Sequence, residues 1–228
     1  NLSVQEGSDL IAYALDLGIN FFDTAHLYQT YPYFKSLSSS QKQKMVITSK
    51  SYDYTYQDMM ECIETDLKAI KRDYFDIFML HEQESTLTLK GHQDAFRAMV
   101  KAKEQGKIRA IGVSTHSATL VRDLLFHPEF EVVHPLFNRV GQGMLHGNFQ
   151  DMDRSIRALY NNGVGIYTMK PLAGGRLYLT FLEELSFIRD YPYKHSVAIG
   201  TKNKNEIAVD VAIFENHYEE SMKNKLQL

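Results

Sequence analysis

Short apolar runs alternate with longer amphipathic stretches along the whole of this chain. The apolar runs fall at 19–23, 45–49, 75–80, 108–113, 131–134, 164–169 and 196–199, punctuated by Gly18, Gly106, Gly112, Gly163 and Gly200. Their length and near-continuous hydrophobicity predict strands buried on both faces. Between them, apolar residues recur at helical spacing. Met59, Met60, Ile63, Leu67 and Ile70 mark 56–71, and Phe96, Met99 and Val100 mark 92–105. Further helices are predicted at 5–17, 116–126, 149–161, 178–189 and 203–217, with a short one at 30–38.

Strand followed by helix, repeated, predicts an α/β fold with a parallel sheet. No linker or composition shift divides residues 1–228, so one domain is expected. The pattern counts seven strands and eight helices, and the helix at 5–17 has no strand before it. A (β/α)8 TIM barrel has eight strands. The pattern fits such a barrel lacking its first strand, in a chain that begins at Asn1 and is expected to start downstream of its natural start. Two sheet edges would then be left unpaired. An open doubly wound sheet fits less well, because no G-x-G-x-x-G follows the first strand and polar residues close strands along the whole chain. A barrel gathers all those strand ends at one mouth.

Composition narrows the setting. Hydrophobic content is 44% and charged content 23%, ordinary for a soluble globular protein. A net charge of −3 implies no general attraction to nucleic acid or an anionic membrane. The single cysteine, Cys62, excludes an intramolecular disulfide and a cysteine-ligated cluster built from this chain alone. A reducing, cytoplasmic setting is therefore expected, with Cys62 as a small core residue. No run is long enough to span a membrane, and no signal-peptide pattern is present. His26, His116, His134 and His146 form neither an H-x-x-x-H nor an H-x-x-E-H pattern, so no metal is expected.

Four residues carry candidate chemistry. Asp23 ends the first apolar run, Lys50 follows the second, His81 follows the third, and Tyr28 lies five residues beyond Asp23. An ionisable group at the end of a buried strand is costly without partners. Three on successive strands, with a Tyr beside the first, point to one another. Alone, each has a plainer reading: an ion-paired or capping Asp, a solvated Lys, a packing Tyr, a hydrogen-bonded His. Together they form a proton-transfer set. Tyr has an ordinary pKa of about 10, and a general acid works best nearer neutrality. The Lys50 ammonium would lower it by favouring the phenolate, Asp23 would fix Lys50, and His81 would orient a substrate carbonyl. The hydride such a reaction needs must come from a cofactor.

These residues sit in segments that resemble the aldo-keto reductase family. The segments are Gly-Ile-Asn-Phe-Phe-Asp-Thr-Ala at 18–25 with Tyr28, Ile-Thr-Ser-Lys at 47–50 and Asp-Tyr-Phe-Asp-Ile-Phe-Met-Leu-His at 73–81. Gly-Lys-Ile-Arg-Ala-Ile-Gly-Val-Ser at 106–114 and Met-Lys-Pro-Leu-Ala-Gly-Gly at 169–175 follow in the same order. The resemblance implies a (β/α)8 barrel that reduces an aldehyde or ketone, or runs the reverse, using NADP(H) or NAD(H). It implies Tyr28 as the acid, with Asp23, Lys50 and His81 as its catalytic companions, and a small-molecule carbonyl or alcohol as substrate.

The resemblance also implies a cofactor side. Ser114 aligns with a residue that binds the nicotinamide carboxamide. Thr115 stands where Asn is usual, His134 where Gln is usual, and Met169 where an aromatic stacks on nicotinamide. Lys170, Pro171 and Leu172 continue that segment. Gly200, Thr201, Lys202 and Lys204 occupy the loop near which relatives bind the adenosine 2′-phosphate, whereas Glu206 replaces a typical Arg and Asp210 an Asn that meets adenine. The 26 residues between the last two strands imply an open cofactor site with fast exchange. Segments such as His81-Glu82-Gln83-Glu84-Ser85 resemble a bacterial branch in which the barrel often precedes a ferredoxin-like iron–sulfur segment, which leaves open an unknown redox partner. The competing reading is a barrel with weak or no activity that senses nucleotide or binds a protein. Tyr31, Tyr33, Tyr52, Tyr54 and Tyr56 join Tyr28 as candidates to line the mouth.

Overall fold

The structure, a computed structural model, describes residues 2–218. Seven strands, β1 (Phe21–Asp23), β2 (Val46–Ser51), β3 (Phe75–Leu80), β4 (Ile108–Thr115), β5 (Val132–Pro135), β6 (Gly165–Met169) and β7 (Ser196–Ala198), pair in chain order. All six pairings are parallel, so every strand delivers its C-terminal end to the same rim. The two ends of the sheet, β1 and β7, come within 8 Å Cα to Cα, and no ladder joins them among the described residues. Two ladder spacings would need about 9.5 Å, so the seven strands curve into a nearly closed barrel.

Among the described residues, ten α-helices surround it: α1 (Val4–Asp16), α2 (Tyr31–Lys35), α3 (Ser39–Gln43), α4 (Tyr56–Ile70), α5 (Thr86–Gly91), α6 (Gln93–Glu104), α7 (Ala118–Asp123), α8 (Phe149–Asn161), α9 (Phe181–Asp190) and α10 (Lys204–Phe214). The short helix predicted at 30–38 is α2, which ends at Lys35, and a further short helix, α3, follows it. Ser38 accepts the Gln41 backbone N–H and Gln41 reaches back to Ser38, a capping box that restarts the chain as α3. The stretch before 92 holds α5, started by a second capping box between Ser85 and Thr88. The helix predicted to 217 stops at Phe214. β2 runs to Ser51, so Lys50 lies inside the strand rather than after it.

Side chains alternate across the strands. One set, including Ile47, Phe78, Leu80, Ile111, Val113, Val133 and Ile166, packs outward against Ile63, Leu67, Met99, Val121 and Ile156 of the helices. The other set fills the barrel, where Met79, Val132 and Tyr167 are buried together with Phe21, Ile77, Ala110 and Ala198 around them. The interior is narrow at Gly112, where a Cβ would meet the Val132 carbonyl oxygen at 2.7 Å and Met79 Cγ at 2.8 Å.

Candidate active site at the C-terminal rim

Asp23, Lys50 and His81 stand at the C-terminal ends of β1, β2 and β3, and the topology makes these strands neighbours. Lys50 is 1% exposed. Its Nζ donates to both Asp23 carboxylate oxygens (2.8 and 2.7 Å) and to the Thr24 carbonyl (2.8 Å). Its three N–H donors are thus matched by three acceptors, as a buried ammonium requires. Tyr28 follows on a 3-10 turn, His26–Tyr28, closed by Gln29 with a left-handed φ of 57°. Lys50 Nζ lies 4.9 Å from the Tyr28 ring centroid, and Tyr28 Oη lies 3.4 Å from His81 Nε2. The structure thus brings the four predicted residues together.

Their electrostatics differ from the expectation. Tyr28 is not brought toward neutrality by Lys50. Partial burial, then the Asp23 and Glu82 carboxylates, push it up to about 12. Lys50 Nζ is 4.9 Å from the ring centroid, and its charge is matched by Asp23. Tyr28 therefore keeps its proton across the neutral range, and 47% of the residue remains exposed to whatever binds above it. Burial, followed by the Lys50 charge, lowers His81 to about 4, so its imidazole is neutral. The Tyr52 ring stacks on it at 4.2 Å. His81 Nδ1 is buried with no hydrogen-bond partner. An orphaned N–H is rarer than an orphaned acceptor, so we assign the ring proton to Nε2, on the side facing Tyr28.

Sequence reasoning missed several contributors. Tyr167, fully enclosed in the barrel, donates its hydroxyl to Asp23 Oδ1 (3.0 Å) and lies 3.0 Å from Thr48 Oγ1. Alternation along 164–169 places Tyr167 on the same face as Met169, a signal that was available. His134, expected on the cofactor side, is 1% exposed and joins this interior group. Its Nδ1 donates to the Tyr167 carbonyl (2.7 Å), its ring stacks on Tyr167 at 3.8 Å, and its Nε2 lies 3.8 Å from Asp23 Oδ1. Burial lowers it to about 3, so it too is neutral. At the rim, Tyr52 donates to Glu82, His116 Nδ1 lies 2.9 Å from Glu82 Oε1, and Lys170 Nζ donates to His116 Nε2 (2.9 Å). His116 is therefore part of a polar chain around His81.

The other residues implied for a cofactor line the rest of the rim. Ser114 and Thr115 end β4 and are buried. Ser114 Oγ accepts the Glu82 backbone N–H (2.7 Å), which leaves its own proton to donate. Thr115 Oγ1 accepts the Ser117 N–H (2.9 Å). Met169 ends β6 half-buried, Lys170 follows with a left-handed φ of 57°, Pro171 is buried and Leu172 packs on the core. Beyond β7, Gly200, Lys202 and Lys204 are exposed and Thr201 is half-buried. Lys204 Nζ lies 5.4 Å from the Tyr13 ring centroid. Glu206 accepts the Lys202 backbone N–H (2.6 Å) and Asn203 Nδ2 (3.0 Å). A carboxylate thus already holds donors that a phosphate would use. Burial, then Glu206, raise Asp210 to about 7. The rim thus offers a free hydroxyl proton on Ser114 of β4 and a soft apolar thioether on Met169 of β6, with β5 between them.

The Aldo/keto reductase family profile matches residues 2–224, and the chain belongs to that family. The uncharacterized oxidoreductase YtbE of Bacillus subtilis is 28% identical over 139 residues, 60% of this chain and 45% of that protein. The methylglyoxal reductase DkgA of Yersinia pestis is 27% identical over 146 residues, covering 60% and 52%. The chain spans about half the length of the curated relatives it matches. Among solved structures, an aldo-keto reductase from Bacillus halodurans in its holo form has a TM-score of 0.73 at 17% identity, covering 94% of this chain and 83% of that one. A Pseudomonas aeruginosa structure described as an aldo-keto reductase reaches 0.79 at 23% identity, covering 95% and 82%. At these identities the likeness establishes the fold. No helix among the described residues is long and apolar enough to cross a membrane.

Proposed function

We propose that this chain reduces a small aldehyde or ketone with a nicotinamide dinucleotide, with Tyr28 as proton donor. The observation that carries the reading is the convergence of Asp23, Tyr28, Lys50 and His81 at one rim, with Tyr28 protonated and accessible. A reduced nicotinamide, when bound, would supply the hydride. Ser114, Met169 and the Gly200–Lys204 loop would hold it. The Tyr28 hydroxyl and the His81 Nε2–H would both hydrogen-bond the substrate oxygen. The Tyr28 proton then passes to that oxygen as negative charge develops on it, and the Lys50 ammonium, 4.9 Å from the ring centroid, stabilises the phenolate left behind. Asp23 and Tyr167 hold Lys50 in place and take no part in the bond changes.

The names of relatives that act on glyoxal or methylglyoxal make methylglyoxal the first substrate to try. Titration with NADH and NADPH, followed by fluorescence, tests the nucleotide half of the reading. Absence of binding by both would sink it. Tyr28→Phe is expected to remove most methylglyoxal turnover while leaving nucleotide affinity within about twofold, because the hydroxyl acts on the substrate oxygen alone. The competing reading, a binding barrel without turnover, draws on the altered cofactor positions, above all Glu206, and predicts nucleotide binding with no turnover of any carbonyl.

A further inference from the structure

We propose that Asp66 is a positioning residue, holding the Tyr28 turn in place by gripping its two flanks. The inference rests on the reading of Tyr28 as proton donor. The turn needs an outside hold. Between β1 and α2 its backbone contacts are few: Thr24 N–H reaches the Thr48 carbonyl (3.0 Å) and Tyr28 N–H the Ala25 carbonyl (3.0 Å). Leu27 is 66% exposed and Tyr28 47% exposed, so burial of the turn's own side chains anchors it weakly.

The hold comes from a carboxylate on α4. Asp66 is 1% exposed and shares its helix face with Met59, Ile63 and Leu67, where burying a charge is costly without partners. Its Oδ1 lies 2.7 Å from His26 Nδ1, two residues before Tyr28. Its Oδ2 accepts the hydroxyl of Tyr31, three residues after Tyr28, at 2.5 Å. The Tyr31 hydroxyl also lies 2.6 Å from Ser49 Oγ, beside Lys50 on β2. Thr24 Oγ1 and Thr30 Oγ1, 2.5 Å apart, close the loop across its base. One buried group thus fixes the turn, the helix behind it and the strand that bears Lys50 in a single frame. Cys62 Sγ, 3.6 Å from Asp66 Oδ2, adds a third donor. His26, Cys62 and Asp66 offer metal-ligand types within 4.8 Å of one another. Both carboxylate oxygens accept hydrogen bonds here, from His26 and from Tyr31, so the group forms a hydrogen-bonded clamp.

The test uses the full chain with methylglyoxal and whichever reduced nucleotide binds, and a second measurement independent of activity. Asp66→Asn retains one carbonyl acceptor where two oxygens are needed. It is expected to lower kcat at least tenfold, in line with the roughly 100-fold cost of a 1 Å misplacement, with KM and nucleotide affinity within about twofold. His26→Gln and Tyr31→Phe each remove one arm and are expected to lower kcat less. Glu61→Gln, exposed on the same helix, is expected to change nothing. In the Tyr28→Phe background, Asp66→Asn is expected to add no further loss to the residual rate. Hydrogen–deuterium exchange at residues 24–31 is expected to quicken in Asp66→Asn, with β2 unchanged. Wild-type kcat in folded Asp66→Asn, an equal further loss on top of Tyr28→Phe, or unchanged exchange at 24–31 would each overturn the proposal. If Asp66→Asn does not fold, wild-type kcat in both single-arm variants overturns it. Full turnover in Tyr28→Phe would instead refute the proton-donor reading, a distinct outcome.

Discussion

Asp23→Asn isolates the buried ion pair on which the site is built. Lys50 is 1% exposed and relies on Asp23 for its counter-charge and two of its three hydrogen bonds. Removing one partner of a buried pair costs about 3–5 kcal/mol because the other charge is left uncompensated. The Asn carbonyl can still accept one Lys50 N–H, and Thr24 keeps accepting another, so the lower end, about 3 kcal/mol, is expected. For a chain of this size each kcal/mol moves the Tm by about 2–4 °C, giving a fall of roughly 6–12 °C by circular dichroism at pH 7. Lys50→Met is expected to cost less, since Asp23 lies nearer the rim with a 17% exposed side chain and still accepts from Tyr167. The pH dependence carries the sign. Burial lowers the Lys50 pKa in the native state, and Asp23 opposes that shift. Without Asp23 the native pKa falls further, so below the unfolded value of 10.5 the unfolded chain binds more protons. Stability of the variant then rises with pH, and its deficit should shrink between pH 7 and 9.5. A deficit under about 1 kcal/mol, or one that does not change with pH, would refute the view of Lys50 as a buried, charged group held by Asp23.

The remaining predictions follow from the same geometry. With Tyr28 near 12 and His81 near 4, both groups hold one protonation state through the neutral range, and carbonyl reduction should be flat from pH 6 to 9. Alcohol oxidation, which needs the phenolate, should rise steadily with pH; a bell centred on neutrality in either direction would contradict the assignment. His81 and His134 are both lowered from 6.5 in the fold, so the unfolded chain binds more protons below that value, and urea titrations should show stability falling as pH drops from 6.5 to 4. Gly112→Ala should destabilise by about 1–3 kcal/mol, because its Cβ would meet the Val132 carbonyl oxygen at 2.7 Å; an unchanged urea midpoint would show that the interior yields. Glu206→Arg frees the Lys202 and Asn203 donors and adds a cation, so the ratio of NADPH to NADH affinity should rise at least tenfold in fluorescence titrations, by about 1.4 kcal/mol or more.

The order of elements was legible because buried strands in a parallel sheet must be continuously apolar, and seven such runs are easily counted. The four candidate catalytic residues were legible for a related reason: an ionisable group at the end of an apolar run calls for partners, and the motifs around Asp23, Tyr28, Lys50 and His81 supplied the order. Tyr167 hid inside an apolar strand, where a tyrosine reads as packing. Asp66 hid on an amphipathic helix, where an acidic residue reads as solvated.

By itself, then, the sequence determined the strand–helix alternation and which side chains could carry proton chemistry, since both depend on local periodicity and residue type. Tertiary structure alone decided how those side chains behave. It put burial and the Asp23 and Glu82 carboxylates around Tyr28, raising rather than lowering the phenol. It turned His134 inward onto Tyr167, and set Glu206 on the donors of the last loop. A pKa and a hydrogen bond depend on burial and on groups distant in the chain, and those are known only once the barrel brings its strand ends together.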